Sequence, residues 1–394
     1  MLRRNGVKTK VTFLLVLSIM VCSLSGCSVG EQTKTKKNEL TTTGFAFNTT
    51  YTISLYKGGS KKLLNKCIKK CAEFENVFSR TLADSELSYI NEIEESYLKV
   101  VNSNEKIKAK WENGKVRYNK KQIKWITGRI KKKVSEKNDI SFVIKKNGYI
   151  EMKVSELISD ITQKGLSYSE LTKGAFDITI EPVSSIWNFS SDKPKVPQKD
   201  KIASALRYIN YKKVKIDGMK LTFMQPGMGL DFGGIAKGFI ADRLKVFLTD
   251  NGVTSGMINL GGNILCIGKK TDGKPFNIGI QQPFADRNET IAAVHSDDTS
   301  IVSSGIYERY FKTKSGKLYH HILNPKTGYS YNNGLIAVTI VSDKSVDGDG
   351  LSTSCFALGL KKGMKLINET ENVEAVFITA DEKLHYSENF EKLM

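Results

Sequence analysis

The sequence predicts an α+β protein in which helices and antiparallel strands are intermixed. Segments with helical periodicity and segments that alternate apolar and polar residues follow one another, but without the regular strand–helix–strand order of a parallel sheet. No internal repeat is evident in the 394 residues, and 40% of them are hydrophobic, which is ordinary for a globular chain. Disorder along the whole chain and a fibrous fold are therefore excluded.

The N-terminal residues predict export and lipidation. Four basic residues within the first ten precede an apolar run at 11–24, which is too short to span a bilayer comfortably. The run is followed by Ser-Gly-Cys, which places Cys27 where a bacterial lipobox is lipidated. We therefore expect a signal peptide at 1–26 and a polar tether at 27–43, with the protein anchored by lipid to the outer face of the bacterial cytoplasmic membrane. An ordinary signal peptide with an incidental cysteine is the alternative.

The body of the chain, from residue 44 to 394, carries strand and helix signals in turn. Residues 45–56 alternate and predict a strand, whereas the apolar spacing of 60–77 predicts a helix. The further expected elements are helix 155–171, hairpin 213–224 with Asp217-Gly218 at its turn, helix 235–251, strands 256–268, 276–281, 289–296 and 335–342, a helix from about 350 to 369, and a hairpin that closes at Asp381-Glu382.

Cysteine use is sparse in this body. Cys67 and Cys71 are four residues apart in the first predicted helix and therefore share a face. No CxxC or CxxH motif accompanies them, so core packing is favoured over half of a metal site. Nothing in the spacing indicates a disulfide framework.

The formal charge of +19 is concentrated in two places. The signal segment carries +4, and residues 97–146 carry 16 Lys+Arg against 4 Asp+Glu, which leaves only +3 for the rest of the chain. The second segment is dense in Lys and lacks Pro, and a family resemblance, carried by motifs on both sides of it, implies that it is an insert in the domain. It either docks on an anionic lipid surface, the cell wall or an acidic protein, or is a solvated excursion without a partner. Nucleic acid is not expected as a partner of an exported lipoprotein.

A glycine pair lies between a strand-like segment and a predicted helix. Gly233 and Gly234 would let the backbone approach a phosphate, and the free N–H groups of the helix start together with Lys237 favour an anion. The preceding Asp231 is a further polar group at this turn. The pattern is neither a P-loop nor a dinucleotide fingerprint, so a tight strand-to-helix turn without a ligand is the alternative.

Three more motifs carry chemistry. Asp177 has apolar neighbours and must either bind something or make a structural hydrogen bond to a turn. Only four histidines occur, and two are adjacent, so on a strand one of them, His321, can face a pocket as a general base; a core or surface role is the alternative. Asp349 and Thr353 share a helix face and offer oxygen ligands that suit Mg²⁺, unless Asp349 is only an N-cap.

In order and spacing, these motifs resemble the FAD:protein FMN transferases, the ApbE-type lipoproteins. The resemblance runs from about Phe45 to Lys383 and is carried by FSR with SEL (78–80 and 85–87), GAFDITIEP (174–182), LDFGGIAKG (230–238), INLGGN (258–263), IGIQQP (278–283), SSGIYERYF (303–311), HHILNPKTG (320–328) and DGLSTS (349–354). It implies a two-lobed, T-fold-like single catalytic unit with mixed or antiparallel sheets and flanking helices.

The resemblance also implies a reaction, in which FAD is split with Mg²⁺, FMN is transferred to a Ser or Thr hydroxyl of an exported flavoprotein, and AMP leaves. The acceptors would belong to membrane redox complexes or to extracellular electron transfer. By resemblance, the Mg²⁺ ligands would be Asp349, Thr353 and the Gly234 carbonyl, and His321 would be the base that activates the acceptor hydroxyl. The FAD contacts would be Lys237 at the pyrophosphate, and Ala175, Phe176, Asp177, Asp231 and the backbone near Leu323.

Two departures from the family pattern concern flavin affinity. Phe47 stands in a segment that is often Met-Gly-Thr, and it would pack on a flavin or adenine ring. Thr81 stands where a tyrosine is usual, so one stacking partner is missing. Two alternative functions therefore stay open: an FAD pyrophosphatase that releases FMN and AMP, and a flavin-binding lipoprotein without chemistry.

Overall fold

The computed structural model describes residues 39–114, 116–134, 140–286 and 289–394. The predicted signal peptide, Cys27 and most of the predicted tether lie outside these ranges. Among the described residues, no helix is both long enough and apolar enough to cross a membrane.

The first described elements form a hairpin of two strands. Leu40–Ala46 (β1) pairs antiparallel with Thr49–Lys57 (β2), and both turn residues, Phe47 and Asn48, have φ of 56°. The sequence prediction of one strand over 45–56 is therefore wrong at the turn. The predicted tether boundary at residue 43 is wrong as well, because the chain is already paired in the sheet from Leu40 onward.

Ten helices and fourteen further strands are described. The helices are α1 Lys61–Phe78, α2 Glu86–Asn102, α3 Glu105–Glu112, α4 Lys120–Lys131, α5 Glu156–Leu171, α6 Glu181–Trp187, α7 Lys199–Leu206, α8 Ala236–Asp250, α9 Ser345–Leu358 and α10 Leu360–Asn368. The strands are β3 Phe142–Ile144, β4 Ile150–Lys153, β5 Val214–Asp217, β6 Lys220–Phe223, β7 Ser255–Leu260, β8 Asn263–Ile267, β9 Phe276–Gln281, β10 Thr290–Ser296, β11 Ser300–Gly305, β12 Tyr310–Lys312, β13 Leu318–His320, β14 Leu335–Ser342, β15 Val373–Thr379 and β16 Leu384–Tyr386.

Most predicted elements are confirmed, and three are subdivided at glycines or left-handed turns. The strand predicted at 256–268 is the hairpin β7–β8, because Gly261 and Gly262 both take positive φ between the two strands. The helix predicted at 350–369 begins earlier, at Ser345, and is broken at Gly359, whose φ is 78°. Asp349 therefore lies inside α9 and is not its N-cap.

An eight-stranded sheet organises the molecule, in the order β1-β2-β7-β8-β11-β14-β15-β16. All strand pairs assigned in the described part are antiparallel, which confirms the α+β class. Helices α1, α8 and α9 cover one face, and the β9–β10 ribbon packs its apolar side chains on the other. Every residue of β14 is buried, as expected for a strand covered on both faces.

Helices α8 and α9 cross very closely near the middle of the sheet. A Cβ added to Gly238 of α8 would lie 2.1 Å from the Ser345 carbonyl oxygen, so only glycine permits the crossing. Asp242, one turn further along α8, accepts hydrogen bonds from the Ser345 and Val346 N–H groups at 2.8 and 2.9 Å and thereby caps the start of α9. The crossing fixes the position of Asp349 relative to α8.

The lysine-rich segment 97–146 is built into the core and is not a solvated excursion. It contains the end of α2, all of α3 and α4, and β3, which joins β4, β6 and β5 in a second sheet. Tyr97, Ile126 and Ile130 are fully buried in the main hydrophobic cluster, while the lysines of α4 point outward. The expectation of a surface excursion is therefore wrong, because the apolar face of α4 packs on α2.

Cys67 and Cys71 confirm the predicted core packing. Both are buried on α1 and unbonded, and burial raises the pKa of the two thiols to about 11 and about 12. They contribute apolar volume between α1 and the sheet, as free buried cysteines usually do.

The packing of α4 can be tested by one substitution. Ile130→Ala removes a fully buried side chain and should lower the free energy of unfolding by about 2–4 kcal/mol. Lys124→Ala, on the exposed face of the same helix, should change it by less than about 0.5 kcal/mol. Urea denaturation of the two variants measures both values, and equal effects would show that α4 is not part of the cooperative core.

Candidate active site

All predicted site residues in the described part of the chain line one cleft, with a volume of about 370 Å³. Its walls come from the β1–β2 turn, the end of α1, the segments before α6 and α8, the end of β11, the segment after β13, and α9. The predicted residues are Phe47, Thr81, Ala175, Phe176, Asp177, Asp231, Gly234, Lys237, His321, Leu323, Asp349 and Thr353.

Asp349 holds the base of the cleft to the start of α8. Its side chain is nearly buried, and Oδ2 accepts a hydrogen bond from the Gly238 N–H at 2.6 Å. Its other oxygen, Oδ1, lies 3.3 Å from the Lys237 Nζ. Lys237 is 27% exposed and reaches into the cleft. This carboxylate therefore keeps one oxygen on the fold and turns the other toward the cleft.

Thr353 lies one turn after Asp349 and faces Gly234. A Cβ on Gly234 would come within 2.8 Å of the Phe176 ring and 3.4 Å of the Thr353 Oγ1, so the glycine brings its backbone close to the hydroxyl. Thr353 Oγ1 is 3.2 Å from the Ser304 Oγ, which in turn is 2.8 Å from the Ser352 Oγ. Hydroxyl oxygens from α9 and β11 thus meet beside the glycine turn at this end of the cleft.

These oxygens fit Mg²⁺ only together with a bound phosphate. No group of three or more His, Cys, Asp or Glu side chains capable of holding a metal occurs in the described residues, and the carboxylate beside Thr353 is that of Asp349. Mg²⁺ prefers six oxygens and keeps several waters, so it accepts one or two carboxylates when substrate phosphates complete its shell. The donors of Asp349 and Thr353 meet that requirement.

Asp231 forms the best-satisfied ionic group of the cleft. Its Oδ2 accepts from the Ser184 hydroxyl at 2.6 Å and lies 3.3 Å from the Arg80 Nε, while Oδ1 accepts from the Gly233 N–H at 2.9 Å. Burial alone would raise the pKa of Asp231, but Arg80 and the two hydrogen bonds outweigh it and hold the pKa below its ordinary value. Asp231 is therefore ionised and fixes the glycine turn.

Asp177 lines the cleft, but its carboxylate is already bound by the fold. Oδ1 accepts from the Thr179 N–H and hydroxyl at 2.8 and 2.6 Å, and Oδ2 accepts from the Tyr211 N–H at 3.1 Å. Burial raises the pKa of Asp177 even with these three hydrogen bonds. This is the structural alternative foreseen for Asp177, and it positions the adjacent Ala175–Phe176 segment, whose Ala175 carbonyl accepts from the Tyr331 hydroxyl at 2.8 Å.

As predicted, one of the two adjacent histidines faces the cleft and the other does not. His320 is buried and fixed, since Nε2 is 2.8 Å from the Tyr331 carbonyl oxygen and Nδ1 accepts from the Ile322 N–H at 3.3 Å. His321 faces the cleft, and its Nδ1 is buried without a hydrogen-bond partner in the described structure. Burial, and then the nearby Arg309, lower the pKa of His321 to about 3, so its ring is neutral at physiological pH.

The two departures from the family pattern lie at the opposite rim. Phe47 is held in its turn by a hydrogen bond from its N–H to the Glu75 carboxylate. Thr81 is exposed, and its hydroxyl is 3.5 Å from that of Ser79. The Thr81 side chain offers no aromatic face to a flavin.

Sequence reasoning assigned no role to several residues that shape the cleft. Arg80 and Arg309 belong to the FSR and SSGIYERYF motifs, so their charge could have marked them as site residues. Arg80 pairs with Asp231, and Arg309 donates to the Asn48 carbonyl at 3.2 Å. No local sequence pattern marks Ser184 or Tyr331, because they reach the cleft only through tertiary packing.

Comparison with known proteins gives a consistent result. The family model described as the ApbE family matches residues 103–377. An FAD:protein FMN transferase of Klebsiella pneumoniae (strain 342) is 37% identical over 228 residues, which cover 57% of this chain and 70% of that protein. An FAD:protein FMN transferase of Treponema pallidum (strain Nichols) is 33% identical over 242 residues, covering 58% of this chain and 67% of that protein.

Solved structures support the fold. The flavin transferase ApbE from Vibrio cholerae superposes with a TM-score of 0.69 at 23% identity, over 91% of this chain and 99% of that one. The ApbE protein from Thermotoga maritima gives a TM-score of 0.68 at 23% identity, over 90% and 99%. At identities this low, the likeness shows the fold alone.

The buried His321 should make stability depend on pH. The unfolded chain takes up a proton at His321 below about pH 6.5, whereas the folded chain does so only near pH 3. The stabilising contribution of neutral His321 is thus complete above pH 6.5 and is lost as the pH falls toward 3. We expect a loss of up to about 1.4 kcal/mol per pH unit in this window relative to His321→Asn.

Chemical denaturation at pH 7, 6 and 5 measures this difference. Glu181, whose pKa burial raises to about 7, contributes a slope of opposite sign, so parent and variant must be compared at each pH. The exposed His295→Asn should reproduce the parent slope. Identical slopes for the parent and His321→Asn would contradict the assigned state of His321.

Proposed function

The chain belongs to the ApbE family, and we infer that it is an enzyme, an FAD:protein FMN transferase. The observation that carries this inference is the meeting in one cleft of the residues that the family chemistry needs, although they lie far apart in the chain. The enzyme would move FMN from FAD to a Ser or Thr hydroxyl of an acceptor flavoprotein, with FAD as the substrate and AMP as the leaving product.

Phosphate recognition would use the start of α8. The start of a helix carries a partial positive charge that attracts an anion, and the glycine turn lets a pyrophosphate approach it. The Ala236 and Gly238 N–H groups themselves already donate to the Phe232 carbonyl and to Asp349. Lys237 adds a positive charge in the cleft, at 3.3 Å from Asp349. A bound pyrophosphate would therefore compete with Asp349 for this lysine and draw it further into the cleft.

Mg²⁺ would be held by Asp349, Thr353 and the Gly234 carbonyl. When bound, it would neutralise pyrophosphate charge and stabilise the phosphate that leaves with AMP. The Oδ1 of Asp349, which is paired with Lys237 at 3.3 Å, and the proximity of Gly234 to Thr353 support this assignment.

His321 would act as the base toward the acceptor hydroxyl. The new bond joins the hydroxyl oxygen to the FMN phosphorus, the bond between this phosphorus and the bridging oxygen breaks, and AMP leaves with that oxygen. The hydroxyl proton would go to the ring of His321, which is neutral and lines the cleft. A bound pyrophosphate would offset the charges of Arg309 and Lys237 and thereby raise the basicity of the ring.

Flavin binding would use the outer part of the cleft. Phe47 would pack on an aromatic ring of FAD, while Asp231, the Ala175–Asp177 segment and the backbone near Leu323 would line the pocket. Thr81 supplies a hydroxyl in place of a ring, which predicts weaker stacking. Asp177 acts here through the segment it fixes, because its oxygens are taken by Thr179 and Tyr211.

We further propose that the enzyme works outside the cell membrane on a lipid anchor at Cys27. The basic start, the short apolar run and the small residues before the cysteine support export and lipidation. Its acceptors would then be exported flavoproteins of membrane redox complexes or of extracellular electron transfer.

The reaction is tested by mixing the protein with FAD, Mg²⁺ and a peptide that carries a D-x-x-[ST]-[GA]-A-T segment. We expect a covalent FMN adduct by mass spectrometry, equimolar AMP, and no adduct when a chelator removes the metal. FMN and AMP without adduct would indicate a pyrophosphatase instead, and unchanged bound FAD would indicate a binding protein.

Asp349→Asn provides the matched variant for the metal site. The asparagine oxygen can still accept from the Gly238 N–H, so the fold is kept while the charge at the metal is lost. We expect transfer to fall by about 100-fold or more, as for loss of an electrostatic group that acts on the transition state. Asp217→Asn, at the β5–β6 turn, is the control and should transfer at the parent rate. Full activity of Asp349→Asn would refute the proposed metal site.

The anchor is tested by Cys27→Ala in cells fed with labelled palmitate. The parent protein should carry label and sediment with membranes, whereas Cys27→Ala should lose the label. Cys22→Ala, within the signal run, should keep it. A labelled Cys27→Ala protein would contradict the proposed site.

A further inference from the structure

Two large aromatic side chains are exposed and touch each other beside the cleft. Phe284 is 49% exposed and Tyr310 is 42% exposed, and their rings meet edge to face with centroids 5.5 Å apart. Phe284 also packs against Tyr307 at 5.9 Å. Its φ of 60° is costly for a bulky residue, so the loop holds this ring outward against a local preference.

The backbone connects this aromatic pair directly to His321. Tyr310 begins β12 and is paired with His320 of β13, and the Arg309 carbonyl accepts from the His321 N–H at 3.1 Å. Arg309 and His321 both line the cleft. The aromatic pair therefore lies next to residues that line the cleft, since Tyr310 directly follows Arg309 in the chain.

A chain of contacts also leads from Phe284 to the cleft wall. Phe284 touches Tyr307, and the Tyr307 ring lies so close to Gly305 that a Cβ there would be 2.5 Å away. Gly305 lines the cleft at the end of β11. The exposed pair is thus continuous with the site and is not an isolated apolar spot.

We propose that Phe284 and Tyr310 are the docking surface for the acceptor polypeptide. This rests on the proposed transferase function. A Ser or Thr side chain is short, so its oxygen reaches a phosphate inside the cleft only when the acceptor backbone runs across the rim. Exposed aromatic side chains provide contact area at a low entropic cost and are enriched where polypeptides bind. The occupant is the acceptor segment that flanks the modified residue.

The experiment compares acceptor and FAD parameters in Phe284→Ala/Tyr310→Ala. We expect the KM for the D-x-x-[ST]-[GA]-A-T peptide to rise about tenfold or more, which corresponds to the loss of about one hot-spot contact. The affinity for FAD and the slow release of AMP without acceptor should match the parent. Tyr310→Phe should keep the parent KM, and Met219→Ala, equally exposed at the β5–β6 turn, is the control.

Binding measured without turnover separates this inference from the proposed function. A peptide with Val in place of the Ser or Thr should bind the parent protein, and binding should weaken about tenfold in the double variant. If the parent binds the peptide but forms no adduct, the docking surface stands while the transferase assignment fails. Equal binding by parent and double variant, or no binding by either, overturns the proposal.

Two other outcomes would assign the surface to a different occupant. A loss of FAD affinity in the double variant would show that the rim contacts the flavin. A self-association of the parent that disappears in the double variant, measured by sedimentation, would show that a second copy of this chain covers the pair. Either result overturns the acceptor proposal.

Discussion

The close crossing of α8 and α9 is the constraint on which the candidate site depends. Gly238 lets the Ser345 carbonyl approach, and Asp242 caps the start of α9 with two hydrogen bonds. With the helices locked in this way, Asp349 can bind the Gly238 N–H and still present an oxygen to the cleft. Glycine turn, lysine and carboxylate are therefore brought together by one helix–helix contact, and any larger residue at position 238 would separate them.

The electrostatic character of the cleft follows from what each acid is bound to. Asp231 is balanced by Arg80, Asp177 is held by backbone and hydroxyl donors, and Asp349 keeps one oxygen in loose contact with Lys237. A carboxylate beside a lysine and a helix start favours a phosphate-bearing ligand over an isolated metal ion. Under the proposed mechanism, a metal ion would therefore bind together with the nucleotide substrate.

Much of this site could be predicted because its chemistry is local in sequence. The glycine pair, the adjacent histidines and the Asp349–Thr353 spacing are short patterns with a physical reason. The structure brings the two glycines, Asp349, Thr353 and one of the two histidines, His321, to one cleft. The contacts of Asp231 with Ser184 and Arg80 could not be predicted, because they form only in the tertiary structure. Helices could be predicted where the apolar periodicity was strong, as in α1 and α5. The predicted element boundaries were wrong where a single turn divides a segment, as at Phe47 and Gly359.

The lysine-rich segment shows a different limit of sequence analysis. Its charge density concealed a helix whose buried face, with Ile126 and Ile130, belongs to the core. Composition describes the exposed side of such a helix, whereas the few buried positions determine its place in the fold.

The order of strands in the large sheet has a consequence for how the activity arises. The hairpin β1–β2 pairs with β7, which follows about two hundred residues later, and α9 supplies the last site residues near the C-terminal end. Contacts so distant in sequence form slowly and require nearly the whole chain. A fragment must span residues 47 to 357 to carry all the residues that line the cleft, so a nascent chain lacks a complete cleft until α9 has been synthesised. Catalytic competence thereby depends on the last helix that lines the cleft.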